Sequence, residues 1–285
     1  MTKNTRDALQ RFSFDNTDIR GEITQLDKAF AEVVRRHDYP PVISRELGEL
    51  MAATALLSSS LKYAGRLTIQ IRLPGNVSLL QAETNDKGQL RAIARYEQGL
   101  TDDELSFDDG QMVITLEPEQ GQRYQGITAI NGGNVAAALQ DYFTQSEQLP
   151  TRFWLFSDGH SAAGLLLQKL PTPAGKEEDA DAWDRVCHLA STVRADEMLG
   201  LDAETVLHRL FHEEQTRVHP ASPLSFSCTC SKPRTAMALK QLGYDELMSM
   251  IEEHGRIDIT CEFCQQNYVF DKAQVQDLFP ENNPH

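Results

Sequence analysis

The chain has 285 residues, of which 40% are hydrophobic and 24% charged, so it can bury the core of one large domain and add a smaller one. Its 42 acidic and 27 basic residues give a formal net charge of −15. That charge favours a soluble protein and argues against a nucleic-acid partner, because phosphate backbones are bound by clustered lysine and arginine.

The N-terminal residues MTKNTRDALQRFSFDN lack an apolar run of the signal-peptide type. The uncharged stretch 50–61 predicts a buried helix, since a bilayer span needs about 20 apolar residues. We therefore expect a cytoplasmic protein with no membrane partner. Because the cytoplasm keeps thiols reduced, the five cysteines are expected to serve a metal or a reaction rather than a disulfide framework.

Residues 1–172 are predicted to form a mixed α+β domain. Residues 66–73 alternate apolar and polar side chains, as a half-buried strand does. Hairpin-length connections with turn signals favour an α+β sheet over a doubly wound one. The other predicted strands are 90–96, 111–116, 123–130 and 153–156, and the predicted helices are 27–36, 43–61 and 135–146.

Proline, glycine and acidic residues at 171–182 mark a domain boundary. A second helix after this boundary is expected to begin at Asp202, a favourable N-cap, with Leu201 and Val206 placed for a hydrophobic staple. Residues 212–226 are polar and broken by proline. The first of the two helices predicted after the boundary precedes Asp202. It carries one apolar face, formed by Trp183, Val186, Cys187, Ala190 and Val193.

Residues 173–226 are therefore predicted to form a helical linker between two domains. Its amphipathic helices are too few to build a core of their own, so they must pack on a neighbour. Low local stability follows from that dependence. An ordinary helical extension of the first domain is the alternative.

Residues 227–285 are predicted to form a small zinc-binding domain. Cys228-Thr229-Cys230 and Cys261-Glu262-Phe263-Cys264 are two close pairs, a spacing typical of four-thiolate zinc sites. Zinc takes four ligands tetrahedrally, and soft thiolates suit it. A helix at 245–254 and strands at 256–260 and 267–270 predict a zinc-ribbon-like hairpin around the second pair. Cys187, on the apolar face of its helix, is expected to be a small buried hydrophobe.

The predicted terminal domain depends on its metal. A unit of this size has a marginal core, whereas structural zinc contributes on the order of 10–16 kcal/mol, so we expect unfolding on metal loss. Thiolates are the oxidisable form of cysteine. The residues therefore permit a redox switch through zinc loss, although most four-cysteine zinc sites are simply structural.

The chain carries little other chemistry. It contains neither nucleotide-binding glycine motif, G-x-x-x-x-G-K-[ST] or G-x-G-x-x-G, and no G-x-S-x-G nucleophile elbow. His208 and His212 lie four residues apart on a predicted helix, but they are outside any H-E-x-x-H pattern and are interpreted as surface residues. We expect neither an enzyme nor an ATP-binding protein.

The cysteine pattern resembles that of the 33 kDa chaperonins, a family of redox-regulated heat-shock chaperones. One departure is Gln265, where many members carry glycine; it is expected to strain the turn slightly without touching a ligand. Further similar stretches follow in the expected order along nearly the whole chain: Arg20-Gly21-Glu22, His37-Asp38-Tyr39-Pro40, Arg123-Tyr124-Gln125-Gly126, residues 141–151 and His212-Glu213-Glu214.

The resemblance implies a holdase that is inactive while its four cysteines hold zinc. Under oxidants Cys228 would pair with Cys230 and Cys261 with Cys264. Zinc would leave, and the terminal domain and the linker would unfold. The exposed surface would bind unfolding client proteins without ATP, and the activated protein would form a homodimer.

Other functions remain open from the residues alone. A constitutive zinc-ribbon adaptor binding a folded partner would keep its metal and shape under oxidants. A thiol oxidoreductase using the C-x-x-C motif would place it at a helix start, whereas strands are predicted on both sides. We also expect Trp183 to dock on the first domain in the reduced state.

Overall fold

The computed structural model describes residues 6–60, 64–101, 105–171 and 179–280. The chain divides into two compact units, Met1–Ser227 and Cys228–His285. Of the sequence features above, residues 1–5 of the N-terminal stretch, residue 61 of the predicted helix and residues 172–178 of the predicted boundary lie outside these ranges. Within them, no helix combines the length and the hydropathy that crossing a bilayer requires.

The first unit begins with two strands that the sequence did not predict. In β2, Glu22, Thr24 and Gln25 are buried although they are polar, so the alternation that marks a strand is lost. Gly21 lies opposite Phe12 of β1, whose ring occupies the space of a Cβ atom. The predicted helices at 27–36 and 43–61 are confirmed over most of their length. The elements are β1 (Ala8–Phe14), β2 (Ile19–Leu26), α1 (Lys28–Arg35) and α2 (Pro41–Leu57), and a 3₁₀ turn at Ser58–Ser60 follows.

Five consecutive strands come next. Four were predicted, and β4 was not, although the turn signals at residues 75–76 and 86–88 lie at its two ends. These strands are β3 (Gly65–Arg72), β4 (Val77–Asn85), β5 (Gln89–Tyr96), β6 (Asp108–Pro118) and β7 (Tyr124–Asn131).

A third helix leads into a hairpin. Asn134 caps the helix, since its side chain accepts a hydrogen bond from the Ala137 N–H. The predicted helix 135–146 is α-helical to Tyr142 and continues as a π turn, Phe143–Glu147. The elements are α3 (Val135–Tyr142), β8 (Thr151–Ser157), which was predicted, and β9 (Ala162–Lys169), which was not.

The described residues between 179 and 227 hold helices and short strands. Asp202 is the N-cap that the sequence predicted, accepting from the Thr205 N–H at 2.9 Å. The stretch 212–226, predicted to be irregular, instead supplies strands that pair with the first unit's sheets. The elements are α4 (Ala182–Ala190), α5 (Ala195–Gly200), α6 (Ala203–Phe211), β10 (Thr216–Val218), β11 (Ser222–Pro223) and β12 (Ser225–Phe226).

Two sheets organise the first unit. One has the strand order β10-β1-β2-β9-β8, with β11 also beside β1, and the other has the order β12-β5-β4-β3-β6-β7. The pairs are antiparallel except β12 with β5. Helix α2 contacts strands of both sheets and is buried along most of its length. This mixed arrangement confirms the predicted α+β class.

Helices α4, α5 and α6 cover one face of the first sheet. The amphipathic character predicted for α4 and α6 is confirmed, because the apolar residues of the three helices form one cluster with side chains of β1, β2 and β9; α5 was not predicted. The low stability expected of a linker stays a prediction. The sheet contributes Phe12, Phe14, Ile19, Ile23, Ala163, Leu165 and Leu167; the helices contribute Ala182, Val186, Ala190, Met198, Ala203, Val206, Leu207, Leu210 and Phe211.

The second unit has its own small apolar cluster. The predicted helix and both predicted strands are confirmed, and Gly255 ends the helix with a left-handed φ of 77°. The helices on either side were not predicted. The elements are α7 (Lys232–Lys240), α8 (Tyr244–His254), β13 (Ile257–Thr260), β14 (Asn267–Phe270) and α9 (Lys272–Asp277).

Candidate metal centre

The first cysteine pair lies on a short segment without regular secondary structure just before α7. Ser231 starts that helix, since its hydroxyl group accepts from the Arg234 N–H. The Arg234 guanidinium reaches back and donates to the carbonyl of Thr229, at 2.9 Å. The residue between the two cysteines is thus tied to the first turn of the helix, and both thiols are held on the same short segment.

The second pair occupies the turn of the β13–β14 hairpin. The Cys261 N–H donates to the Gln266 carbonyl, and the Gln265 N–H donates to the Cys261 carbonyl, each at 2.9 Å. Gln265 has a left-handed φ of 58°, a conformation that glycine adopts more easily than residues with a side chain. The slight strain expected of a non-glycine residue in this turn is therefore present. A left-handed residue with a side chain costs roughly 1–2 kcal/mol.

The structure brings all four predicted ligands together. Their sulfur atoms lie within 4.8 Å of one another. Cys228 Sγ is 3.7 Å from Cys261 Sγ, and Cys230 Sγ is 3.3 Å from Cys264 Sγ. A tetrahedral zinc site with Zn–S bonds of about 2.3 Å separates its sulfurs by about 3.8 Å. The spacing and the donor type therefore fit a tetrahedral ion bound by thiolates.

The sulfur atoms receive hydrogen bonds from their surroundings. The Tyr268 hydroxyl group donates to Cys230 Sγ at 3.1 Å. Backbone N–H groups of Phe263 and Cys264 donate to the Cys261 sulfur, and that of Gln266 donates to Cys264. Such donors stabilise anionic sulfur and orient it toward a metal.

The four thiols differ in acidity. Burial raises the pKa of Cys230, but hydrogen bonds from Tyr268 and the neighbouring thiols outweigh it and lower that pKa to about 7. Burial dominates at Cys261 and Cys264 and raises the pKa of both. The hydrogen bond to Cys230 raises the pKa of Tyr268 to about 12. The Cys230 thiol thus ionises more readily than those of Cys261 and Cys264.

The remaining candidates lie elsewhere. Cys187 is half-buried on α4 and packs against the cluster under the linker helices, in agreement with its predicted structural role. Burial raises the pKa of its thiol to about 11, so it is a weak nucleophile at neutral pH. His208 and His212 stack on the exposed side of α6 with ring centroids 6.1 Å apart. Among the described residues, the four cysteines form the one group of three or more ligands that could hold a metal.

Sequence reasoning missed Tyr268 as a partner of the cluster. The sequence Asn267 to Phe270 predicts a strand, but the direction of the Tyr268 hydroxyl follows from the hairpin register and from where Cys230 lies. The apolar face under the linker was also missed, because β1, β2 and β9 were not predicted. The position of the C-x-x-C motif in a hairpin turn, rather than at a helix start, disfavours a thiol oxidoreductase.

Comparison with known sequences finds one family along most of the chain. A family model described as Hsp33 protein matches residues 7–271. A 33 kDa chaperonin of Pseudomonas savastanoi pv. phaseolicola is 46% identical over 280 residues, which cover 96% of this chain and 93% of that protein. A 33 kDa chaperonin of a Shewanella species is 44% identical over 278 residues, covering 96% of each chain.

A solved structure shares the fold. The crystal structure of the 33 kDa chaperonin (heat shock protein 33 homolog) of Thermotoga maritima superposes with a TM-score of 0.83. The match covers 98% of this chain and 100% of that chain, at 19% sequence identity. At that identity the likeness concerns the fold alone.

Proposed function

This chain belongs to the Hsp33 protein family, and from that premise we propose that it is a redox-regulated, ATP-independent holdase that prevents aggregation of unfolding proteins under oxidative stress. As a member of that family it is a chaperone and not an enzyme. The redox regulation is supported by one observation, the gathering of four cysteine sulfurs within 4.8 Å. The proposed partners are unfolding client proteins in the cytoplasm and, after activation, a second copy of the chain, without nucleic acid, membrane or ATP.

In the proposed reduced state, Cys228, Cys230, Cys261 and Cys264 hold Zn²⁺. Thiolates favour this ion, and the sulfur spacing agrees with a tetrahedral site. A structural zinc ion supplies folding free energy on the order of 10–16 kcal/mol. The second unit has a small apolar cluster, so we infer that it stays folded only while its sulfurs hold the ion.

Oxidation would remove these ligands in pairs. One peroxide molecule oxidises two thiolates to one disulfide and is itself reduced to two hydroxide ions. Two peroxide molecules would therefore consume all four cysteine thiolates. We propose the pairs Cys228 with Cys230 and Cys261 with Cys264. Neighbours in the sequence meet most often once the unit has opened, because the loop between them is short.

The alternative pairing has a structural basis as well. In the folded cluster, close contacts join Cys228 to Cys261 and Cys230 to Cys264. Disulfides between these pairs would tie the hairpin to the segment before α7 and keep the second unit compact. The pairing therefore reports whether the unit opens before the bonds close, and a holdase needs the open form.

The proposed client-binding surface is the face of the first sheet that α4, α5 and α6 cover. Side chains such as Phe12, Ile23 and Leu165 are at most 1% exposed there. Uncovering a contiguous apolar face of this kind would create a binding surface for the apolar segments of unfolding proteins. The negative net charge of the chain would help keep a protein with this exposed apolar face soluble.

Opening would pass from the second unit to the linker along the chain itself. Between Phe211 and Cys228 the chain is held to the sheets by β10, β11 and β12, which have three, two and two residues. The strands are short, and the end of the linker is kept in place by their backbone hydrogen bonds to the sheets and by the buried side chain of Leu224. Loss of structure from residue 228 onward would leave that end to fray.

The decisive experiment is an oxidant titration in which bound zinc, free thiols and suppression of client aggregation are measured on the same samples. We expect zinc to fall with the loss of four thiols per chain and suppression to rise with it. The Cys187→Ser variant is the matched control, because it removes the one cysteine outside the cluster. Non-reducing peptide mapping then identifies the pairs.

Two outcomes would contradict the proposal. Zinc retained by the fully oxidised protein would favour a constitutive zinc-ribbon adaptor instead. Equal suppression of aggregation in the reduced and oxidised states would show that the thiols do not regulate the chaperone.

A further inference from the structure

We propose that Tyr268 is a positioning residue of the cysteine cluster: its hydroxyl group holds Cys230 Sγ in the metal-binding arrangement and sets how much oxidant the cluster withstands before it opens. This inference rests on the metal site proposed above. It adds a residue that controls how much oxidant the site withstands before it releases its metal. The cysteine spacing does not indicate it.

The ring and the hydroxyl group of Tyr268 have different contacts. The ring packs against the apolar cluster of the second unit, and the residue lies opposite Ile259 in the hairpin. These contacts fix the ring without help from the oxygen. The hydroxyl group projects to Cys230 Sγ and donates to it at 3.1 Å. Removing the oxygen alone therefore leaves the ring contacts in place.

The two cysteine pairs obtain their hydrogen bonds from different sources. In the C-x-x-C pair, Cys261 accepts from the backbone N–H groups of Phe263 and Cys264, and Cys264 accepts from that of Gln266. Any residue types that keep the turn would supply these donors. Cys230 accepts from a side chain 38 residues away, so its donor depends on the identity of one residue.

A hydrogen bond to a thiolate acts on both metal binding and oxidation. It stabilises the negative charge on sulfur, orients the lone pairs toward the metal and reduces the nucleophilicity of the sulfur. Oxidation by a peroxide begins when a thiolate attacks one peroxide oxygen, forming a sulfenic acid and releasing hydroxide. A second thiolate then attacks that sulfur, forming the disulfide and releasing the second hydroxide. The hydrogen bond from the Tyr268 hydroxyl group makes Cys230 less nucleophilic. It therefore slows the attack of Cys230 on a peroxide and its attack on the sulfenic acid of another cysteine.

The test compares Tyr268→Phe with Tyr244→Phe, both made in the full chain with Cys187→Ser. Tyr244 belongs to the same unit, and its ring packs edge to face against Phe279. Zinc release at a fixed peroxide concentration is followed with a chromogenic chelator. We expect Tyr268→Phe to release zinc about fivefold faster and to bind it about tenfold more weakly in a chelator competition. Tyr244→Phe should match the parent protein.

A graded variant separates the hydrogen bond from a general loss of structure. 3-Fluorotyrosine placed at position 268 keeps the ring and donates a stronger hydrogen bond, so zinc release should become slower than in the parent. Thermal unfolding of the zinc-loaded proteins reports their folding. Equal release rates for the phenylalanine, tyrosine and fluorotyrosine forms would overturn the role of Tyr268, as would equal acceleration by Tyr244→Phe. A parent protein that binds no zinc would instead refute the metal site.

Discussion

Phe14 and Phe211 pack edge to face, with ring centroids 5.0 Å apart and an interplanar angle of 84°. The first residue ends β1, and the second ends α6. This contact joins the first sheet to the last of the three helices that cover it. The ring centroid of Phe211 also lies 5.8 Å from that of Phe12, so three aromatic rings pack together where α6 meets β1.

Replacing Phe211 should activate the chaperone without oxidant. Phe211→Ala removes a side chain that is 1% exposed and should destabilise the docking of α6 by about 3–5 kcal/mol. The reduced, zinc-loaded variant is expected to bind a hydrophobic dye and suppress client aggregation. His208→Ala, an exposed change on the same helix, should do neither. Unchanged dye binding in Phe211→Ala would mean that the linker does not depend on this contact.

Zinc removal under reducing conditions should unfold the second unit selectively. Because its folding free energy is expected to come mainly from the ion, a strong chelator should abolish hydrogen-exchange protection in α8, β13 and β14. Strands β3 to β7 should keep their protection. Added zinc should restore the lost protection. A second unit that stays protected without metal would remove the basis of the switch.

Trp183 should report the release of the linker. It packs against the cluster that the linker shares with the first sheet, and it lines a small cavity with Ile19 and Lys169. In the Trp154→Phe background, its emission is expected to shift to longer wavelength on oxidation, since the indole moves into water. The reciprocal Trp183→Phe protein shows how far Trp154 responds. An unchanged Trp183 spectrum in the activated protein would argue that α4 stays docked.

Glu22 should make the first unit less stable above neutral pH. Burial raises its pKa from 4.5 to about 7, although a hydrogen bond from Ser59 and the charges of Arg20 and Arg11 oppose the rise. In the described part of the chain its Oε2 atom has no hydrogen-bond partner. Folding therefore favours the protonated form, and stability is lost as pH rises from about 4.5 through 7, by up to about 3 kcal/mol.

Glu22→Gln tests this dependence. It removes the ionisation, so it should raise the free energy of unfolding by up to about 3 kcal/mol at pH 8 and change it little at pH 4.5. Urea unfolding followed by tryptophan fluorescence measures the first unit, since both tryptophans lie there. Glu97→Gln, at an exposed carboxylate, should show no such difference between the two pH values. A Glu22→Gln effect that is equal at both would contradict the buried ionisation.

Gln265→Gly should strengthen the metal centre. Gln265 has a left-handed φ of 58°, which glycine adopts without the steric cost of a side chain, so the metal-loaded unit should gain about 1 kcal/mol. The thermal midpoint of the zinc-loaded protein measures the gain. Gln266→Gly is the control. It leaves the left-handed Gln265 unchanged, so we expect no rise in its thermal midpoint. A lower midpoint for Gln265→Gly would show that the contacts of the side chain outweigh the strain.

The sequence by itself determined those helices, strands and caps that form through contacts between residues close together along the chain. The alternation in β3, the Asp202 cap of α6 and the hairpin around Cys261 and Cys264 each arise within a few residues, so they could be predicted. The paired cysteines likewise indicated a metal site, because zinc requires four ligands whose spacing in the sequence is restricted. The resemblance to the 33 kDa chaperonins rested on the same cysteines and on short motifs along the chain.

Tertiary structure alone decided which surfaces and atoms meet. Strands β1, β2 and β9 escaped prediction because helices cover one or both of their faces, and burial of Glu22 and Gln25 removes the alternation that marks a strand. The contact of Phe14 with Phe211 joins residues almost 200 positions apart. The hydrogen bond from Tyr268 to Cys230 depends on hairpin register and on the path of a distant segment. Such contacts are set by packing across the whole chain, and no local pattern records them.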